Sequence, residues 1–251
     1  MELSILLYVL VGFLAQMIDG ALGMAYGVSS NTFLLSLGIP PAAASASVHM
    51  AEVVTTGISG ISHWRLGNVD LKLVRRLLIP GVLGGAAGAY LLTSLDGNII
   101  KPYIAVYLLI MGGVIVYKAF TLAPRTKPDA YHGSRIGLLG LFGGFCDAIG
   151  GGGWGPVVTS TLVARGKNPR LTIGSVNFSE FFVTLAQSIL FVLTLNFSQY
   201  WQVILGLLVG GAVAAPIAAR LTQKLPLKTL MITVGILIMA LSIRTIVLAV
   251  K

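Results

Sequence analysis

Charge is scarce in this chain: 10% of its 251 residues are Asp, Glu, Lys or Arg, against about 25% in a soluble domain. A surface that poor in charge is solvated by lipid, as the 56% hydrophobic content and the mean hydropathy of +0.91 also say. Cysteine is nearly missing. The single Cys146 excludes an intrachain disulfide and a cysteine-built zinc site, and its expected role is small buried packing. Neither His-Glu-x-x-His nor Gly-x-Ser-x-Gly occurs, which argues against an intramembrane enzyme; no catalytic residue, metal or cofactor is expected. The net charge of +9 does not point to nucleic acid, because no basic stretch is interleaved with aromatics as a single-strand binder needs. Long polar stretches are missing too, so no separate soluble domain is expected. The first segment, MELSILLYVLVGFLAQ, has neither a basic leader nor a small-residue cleavage site; it reads as a retained membrane segment, not a signal peptide.

What the chain does have is apolar stretches near the roughly 20 residues that cross a bilayer, at 5–36, 42–63, 73–93, 99–120, 136–164, 171–195, 199–219 and 227–249. It also repeats itself. At an offset of 128 residues, Asp19 falls on Asp147, Gly23 on Gly151, Tyr26 on Trp154 and Gly27 on Gly155. Gly38 then meets Gly166, Pro41 meets Pro169, Ser47 meets Ser175, Glu52 meets Glu180 and Thr56 meets Thr184. Glycines, prolines and acids match inside an apolar background, so shared hydrophobicity does not explain the register. The expected fold is an all-α polytopic membrane protein with a first repeat at 1–120, a hydrophilic linker at 121–135 and a second repeat at 136–251.

Loop charges bear on orientation. The loop 64–76 carries Arg65, Lys72, Arg75 and Arg76, while its counterpart near 192–204 carries no basic residue. The loop 37–41 has none, while 165–170 has Arg165, Lys167 and Arg170. Only Lys101 marks the turn at 94–101, against Arg220, Lys224 and Lys228 in its partner. Positive residues mark the cytoplasmic side, so equivalent loops face opposite sides and the repeats are expected to be inverted. Inversion needs an odd number of crossings, yet each copy has four apolar segments. Residues 5–36 and 133–164 resolve this, since each is long enough for two half-length helices meeting at a turn. The expected turns are Asp19–Gly27 and Asp147–Gly155, the latter holding four consecutive glycines, each about 1 kcal/mol unfavourable in a helix. The expectation is a re-entrant segment plus three full spans, twice; eight plain spans in parallel repeats would instead put positive loops on both faces.

Four of the eight acidic residues fall at duplicated positions: Asp19, Glu52, Asp147 and Glu180. An ionisable side chain within a bilayer costs at least about 2.5–3.5 kcal/mol and marks a functional site by default. Asp19 and Asp147 also suit capping of half-helix ends, and Glu52 and Glu180 suit buried hydrogen bonds between helices. His49 lies three residues before Glu52 on the same helix face and is matched by Asn177; a His–Glu pair can exchange a proton near neutral pH, while a histidine that never titrates fits as well. These residues are the expected proton-coupling or gating set. Half-helix N-termini offer N–H groups and partial positive charge to an anion, and glycine lets that backbone come close. The expected substrate-binding set is therefore Gly23, Tyr26, Gly27, Gly151, Gly152, Gly153, Trp154, Gly155 and Asn177. Gln16, Asn31, Ser47, Ser175, Thr56, Thr184 and Gln187 are further hydrogen-bonding positions.

Two copies of an acid, a glycine-rich turn with an aromatic, and a Gly-x-x-Pro loop resemble the TauE/SafE sulfite exporter family. The strongest piece is GGFCDAIGGGGWGPVVTSTLVARGKNP at 143–169, and the likeness covers nearly the whole chain. The first turn, DGALGMAYG, departs from it by lacking the run of glycines. The resemblance implies a multi-pass protein of a bacterial or archaeal cytoplasmic membrane that moves a small sulfur-containing anion, such as sulfite or a sulfonate, in the export direction. Duplicated membrane halves with polar groups at mid-depth are a build of secondary transporters, so alternating access is the expected mechanism. An anion channel, or a carrier of a non-sulfur anion, stands as the alternative. The expected partners are a small anion, protons and membrane lipid, with no nucleic acid; a homodimer is compatible with the sequence.

Overall fold

In lipid a backbone must satisfy its own N–H and C=O groups, and the computed structural model meets that demand with helices alone among the described residues, 2–22, 24–121, 133–165, 167–196, 200–221 and 227–250. The order is α1 (Glu2–Leu22), α2 (Tyr26–Ser36), α3 (Pro41–Arg65), α4 (Leu71–Ser94), α5 (Gly97–Thr121), α6 (Gly133–Gly150), a π-helical turn (Gly155–Thr159) running into α7 (Ser160–Ala164), α8 (Pro169–Thr194), α9 (Trp201–Leu221) and α10 (Leu227–Val250). Most of the linker, residues 122–132, lies outside the described residues.

Among the described residues four helices have the length and apolarity to cross a membrane, at Leu71–Ser94, Gly97–Thr121, Leu171–Thr194 and Met231–Ala249, with shorter apolar stretches at Ile5–Asp19 and Trp201–Ala215. Local chemistry sets their ends. Pro41 and Pro169 open α3 and α8, where the missing N–H of proline is not needed. Asp70 caps α4 by accepting from the N–H groups of Lys72 and Leu73.

The two long first segments are broken where the acids and glycines stand, at 24–25 and 151–153 among the described residues. The pieces are unequal, contrary to the expectation of two half-length helices. Helix α1 has 21 residues and is about 31 Å long, whereas α2 has 11. Likewise α6 has 18 residues, followed by the short π turn and α7. A run of apolar residues shows that helix continues but not where a partner will stop it, so the break falls late in each segment.

Polar residues are gathered inside. Helix α3 buries Ser45, Ser47, His49, Glu52, Thr55 and Thr56, and α8 buries Thr172, Ser175, Asn177, Ser179, Thr184 and Gln187. Leu10, Leu83, Tyr90, Ile99, Leu138 and Leu193 stand exposed on the outside, where lipid is the solvent. Cys146 is free and half-buried, less enclosed than expected.

Helices of the first half pack on helices of the second. The main pairs are α1 with α9, α4 with α6, α5 with α10, and α3 with α8, joined by α4 with α8 and α3 with α9. Matching the elements in chain order (α1 with α6, α2 with the π turn and α7, α3 with α8, α4 with α9, α5 with α10) turns this list into itself. Between α5 and α10 the approach is reciprocal: a Cβ on Gly112 would come 2.9 Å from the Gly235 carbonyl, and one on Gly235 would come 2.8 Å from the Gly112 carbonyl. Glycine at both positions is what lets these backbones touch.

Candidate functional site

The two breaks meet backbone to backbone. A Cβ on Gly27 would lie 2.7 Å from both the Gly151 carbonyl oxygen and the Gly152 Cα, and 3.0 Å from Glu52 Oε1. One on Gly152 would overlap the Val28 nitrogen and the Gly27 carbonyl carbon. Gly151 and Gly152 have φ of 61° and 152°, conformations that residues with a Cβ rarely adopt. The first break makes its turn with Ala25, at φ 101°, where the offset of 128 puts Gly153 in the second copy. Left-handed backbone at alanine costs roughly 1–2 kcal/mol. Ala25→Gly is therefore expected to stabilise the protein by about 1 kcal/mol, read as a higher melting temperature in detergent; a lower one would show that Ala25 is not strained.

Asp147 organises the second break. Its Oδ1 accepts from the N–H groups of Gly153 (2.8 Å) and Trp154 (3.0 Å), and its Oδ2 from Gln187 Nε2 (3.2 Å). Asp19 does the same more loosely, accepting from the Tyr26 N–H at 3.4 Å. Both aspartates thus cap the helix that resumes after the break. The Tyr26 N–H at one break, and the Gly153 and Trp154 N–H groups at the other, bond to the chain's own carboxylates, which bears on where an external anion can bind.

His49 reaches Asp147, not Glu52. Its Nε2 lies 3.1 Å from Asp147 Oδ2, the one ion pair among the described residues, and its Nδ1 lies 2.7 Å from the Ser45 carbonyl. A carbonyl can only accept, so Nδ1 carries its hydrogen, and the Nε2–Oδ2 contact then needs a second proton between the two groups. Sharing a helix face with Glu52 did not decide the partner, because the carboxylate that fits comes from the other half of the chain.

Other side chains hold the second break in place. Asn31 Nδ2 donates to the Gly150 carbonyl, Ser45 Oγ to that of Ala148, and Tyr107 Oη to that of Gly152 at 3.0 Å. Of the paired aromatics, Tyr26 donates its hydroxyl to the Leu207 carbonyl at 3.1 Å and faces the space between the breaks. Trp154 is fully buried, donates Nε1–H to the Val176 carbonyl at 3.2 Å, and packs with Leu77, Val158, Leu162 and Val183.

Between the breaks lies a cavity of about 10 Å³, room for about one water molecule. Asp19, Tyr26, Gly27, Glu52, Asp147, Gly152, Gly153, Gly155 and Glu180 of the expected sets line it, with Met24, Ala25, Val28 and Pro156. Glu52 Oε2 is buried there without a hydrogen-bond partner. His49 and Gly151 stand directly behind this lining. Asn177 is elsewhere, donating to Ser59 Oγ at 3.0 Å, and Gly23 lies outside the described residues. Sequence reasoning missed Tyr107, which has no matched partner in the other half and lies in an apolar run.

Comparison with known proteins agrees with this architecture. The family model described as "Sulfite exporter TauE/SafE" matches residues 8–245. The chain is 43% identical over 249 residues to the "Probable membrane transporter protein YtnM" of Bacillus subtilis, covering 97% of this chain and 83% of the relative. It is 28% identical over 244 residues to a "Probable membrane transporter protein" of Haemophilus influenzae, covering 90% and 92%. A second Haemophilus influenzae protein of the same description is 27% identical over 217 residues, covering 85% and 83%. No solved structure matches.

Proposed function

The chain belongs to the TauE/SafE sulfite exporter family of multi-pass membrane transporters, and from that premise we propose that it carries a small sulfur-containing anion, sulfite or a sulfonate, outward across the cell membrane. The observation that carries the reading is the junction of the two helix breaks around one small cavity lined by Asp19, Glu52, Asp147 and Glu180.

The halves 1–120 and 136–251 are two inverted repeats, and they rock about the junction to open it to either side in turn. The exchange of packing pairs between halves supports a two-fold relation, and the loop charges support inversion. With room for about one water, the cavity as described is too small for an oxyanion; a pyramidal or tetrahedral one enters when the halves separate.

No lysine or arginine lines this cavity, and four acids do. An anion placed beside ionised carboxylates in a medium of low dielectric is strongly repelled, so protons bind to the acids along with the anion. Glu52, whose Oε2 is free, and its match Glu180 are the coupling groups; Asp147 is already committed to four donors. The test is flux of labelled sulfite and labelled methanesulfonate in proteoliposomes, with and without a pH gradient. Methanesulfonate stays ionised throughout, so its pH response reports the protein. Saturable flux that the gradient accelerates is expected, with the acceleration lost in Glu52→Gln. Equal acceleration in Glu52→Gln removes it as the coupling group, and no flux of either anion removes the substrate assignment.

A further inference from the structure

On the reading above, a membrane carrier of anions needs a cation, and the central cavity offers none. The resumed helices already face carboxylates at their starts, where the Tyr26 N–H is bonded to Asp19 and the Gly153 and Trp154 N–H groups to Asp147. We infer that the anion's charge is held by Lys118, with the hydroxyls of Thr159 and Ser160, at a site beside the cavity that the sequence pattern does not reveal.

Lys118 stands in the last turn of α5, on a helix long and apolar enough to cross the membrane. Its Nζ donates to the Pro156 carbonyl at 2.9 Å and to Ser160 Oγ. Both partners are neutral, and among the described residues the one ion pair lies elsewhere, between His49 and Asp147. A half-buried ammonium with no counter-ion in a membrane segment is expensive, and the expense falls when an anion shares the site.

The turn it touches is built for such a site. Ser160 N–H bonds to the Gly155 carbonyl, five residues back, so the Pro156 carbonyl lacks its usual bond from the residue four ahead. Lys118 and the Ser160 hydroxyl take that carbonyl in its place. In the same turn Thr159 is 1% exposed and its hydroxyl has no hydrogen-bond partner, a donor in reserve. A π turn is easily rewound, and such turns recur at functional sites. Gly155 and Pro156 of this same turn line the central cavity, so the ammonium is one carbonyl away from the transport path.

The chemistry selects a compact oxyanion head. A single ammonium is a point charge with three donors, and two hydroxyls add two more, which fits the three oxygens of a sulfonate or sulfite. Loading exchanges a neutral partner for a charged one: Nζ and the Ser160 hydroxyl both leave the Pro156 carbonyl and turn to the anion. Release follows when the turn rewinds and the carbonyl recovers the ammonium. The other basic contact to a short helix is different, since Arg244 donates to the Ser36 carbonyl from an exposed position at the far end of α2.

The experiment is methanesulfonate flux in proteoliposomes by wild type, Lys118→Gln and Lys118→Arg. Loss of a charge-assisted contact predicts a KM raised at least about tenfold in Lys118→Gln, with Lys118→Arg within about threefold of wild type. A merely structural Lys118 would lower the maximal rate and leave KM in place. Should Lys118→Gln fail to fold, acetylation of Lys118 in the wild-type protein, followed by mass spectrometry, gives the same answer: saturating methanesulfonate protects it. Flux by wild type with KM unchanged in Lys118→Gln, or acetylation indifferent to methanesulfonate, overturns the assignment and leaves anion transport standing. No flux by wild type with any anion sinks the transport reading first and this one with it.

Discussion

Replacing Asp147 by alanine is expected to destabilise the protein by about 3–5 kcal/mol, the usual cost of removing one partner of a buried ion pair. The carboxylate is 1% exposed and satisfies four donors from three directions: the N–H groups of Gly153 and Trp154, His49 Nε2 and Gln187 Nε2. Its loss strands the His49 Nε2, the Gln187 amide and two backbone N–H groups in the interior, and each stranded group costs about 1–3 kcal/mol. Asp147→Asn keeps an oxygen for the backbone donors but turns an amide toward His49, so it should fall between the two. Thermal unfolding in detergent measures both. Asp147→Ala melting like wild type would show that the resumed helix does not depend on this cap.

The second large effect is expected at the contact between the breaks. Gly152→Ala puts a methyl group onto the Val28 nitrogen and the Gly27 carbonyl carbon, at a φ of 152°. Overpacking costs about 1–3 kcal/mol and the disfavoured backbone a similar amount, and the atoms in the way are backbone that cannot turn aside. The breaks must part. Flux is expected to fall to background even where the protein still reaches the membrane, because the two halves no longer close on the same cavity. Gly38→Ala serves as the comparison: Gly38 also has positive φ, at 90°, but nothing lies within 4 Å of its would-be Cβ, so it carries backbone strain without the clash. Equal flux loss in both variants would mean that strain alone, and not the meeting of the breaks, sets the effect.

Much of this site was legible because residues with specific jobs recur at an offset of 128. Glycines at 150–153, acids at 19 and 147, and prolines at 41 and 169 each impose a local structure, so their recurrence located both breaks and both long polar helices. Other features leave no such trace. The lengths of the broken pieces are set by packing against α9, α4 and α10, which an apolar run cannot express. His49 pairs across the halves with Asp147 instead of along its helix, because in a bundle the neighbour in space is on another helix. Tyr26 and Trp154 match in sequence, yet only Tyr26 faces the cavity; the larger indole fills the space beside α4 and α8. Tyr107 and Lys118 sit in α5 without polar counterparts in α10, where the repeat had already faded, so nothing in the pattern singled them out.

The two breaks are not held equally. The second break is held by Asp147, Asn31, Ser45 and Tyr107, side chains from four helices. The first is held by the long Asp19 contact and by Tyr26 on α9. The first break, around Ala25, is thus held by fewer contacts than the second.

The most direct test of the cavity as the anion path is protection of a single cysteine placed in it. In a Cys146→Ser background, Val28→Cys puts a thiol on a cavity-lining residue, and Leu83→Cys puts one on an exposed position of α4 facing lipid. Proteoliposomes are treated with N-ethylmaleimide while methanesulfonate is raised through the range that saturates flux. The account predicts that modification at position 28 slows in step with saturation while that at position 83 does not change. Modification at position 28 indifferent to methanesulfonate, in a variant that still transports it, would contradict the account and place the path elsewhere.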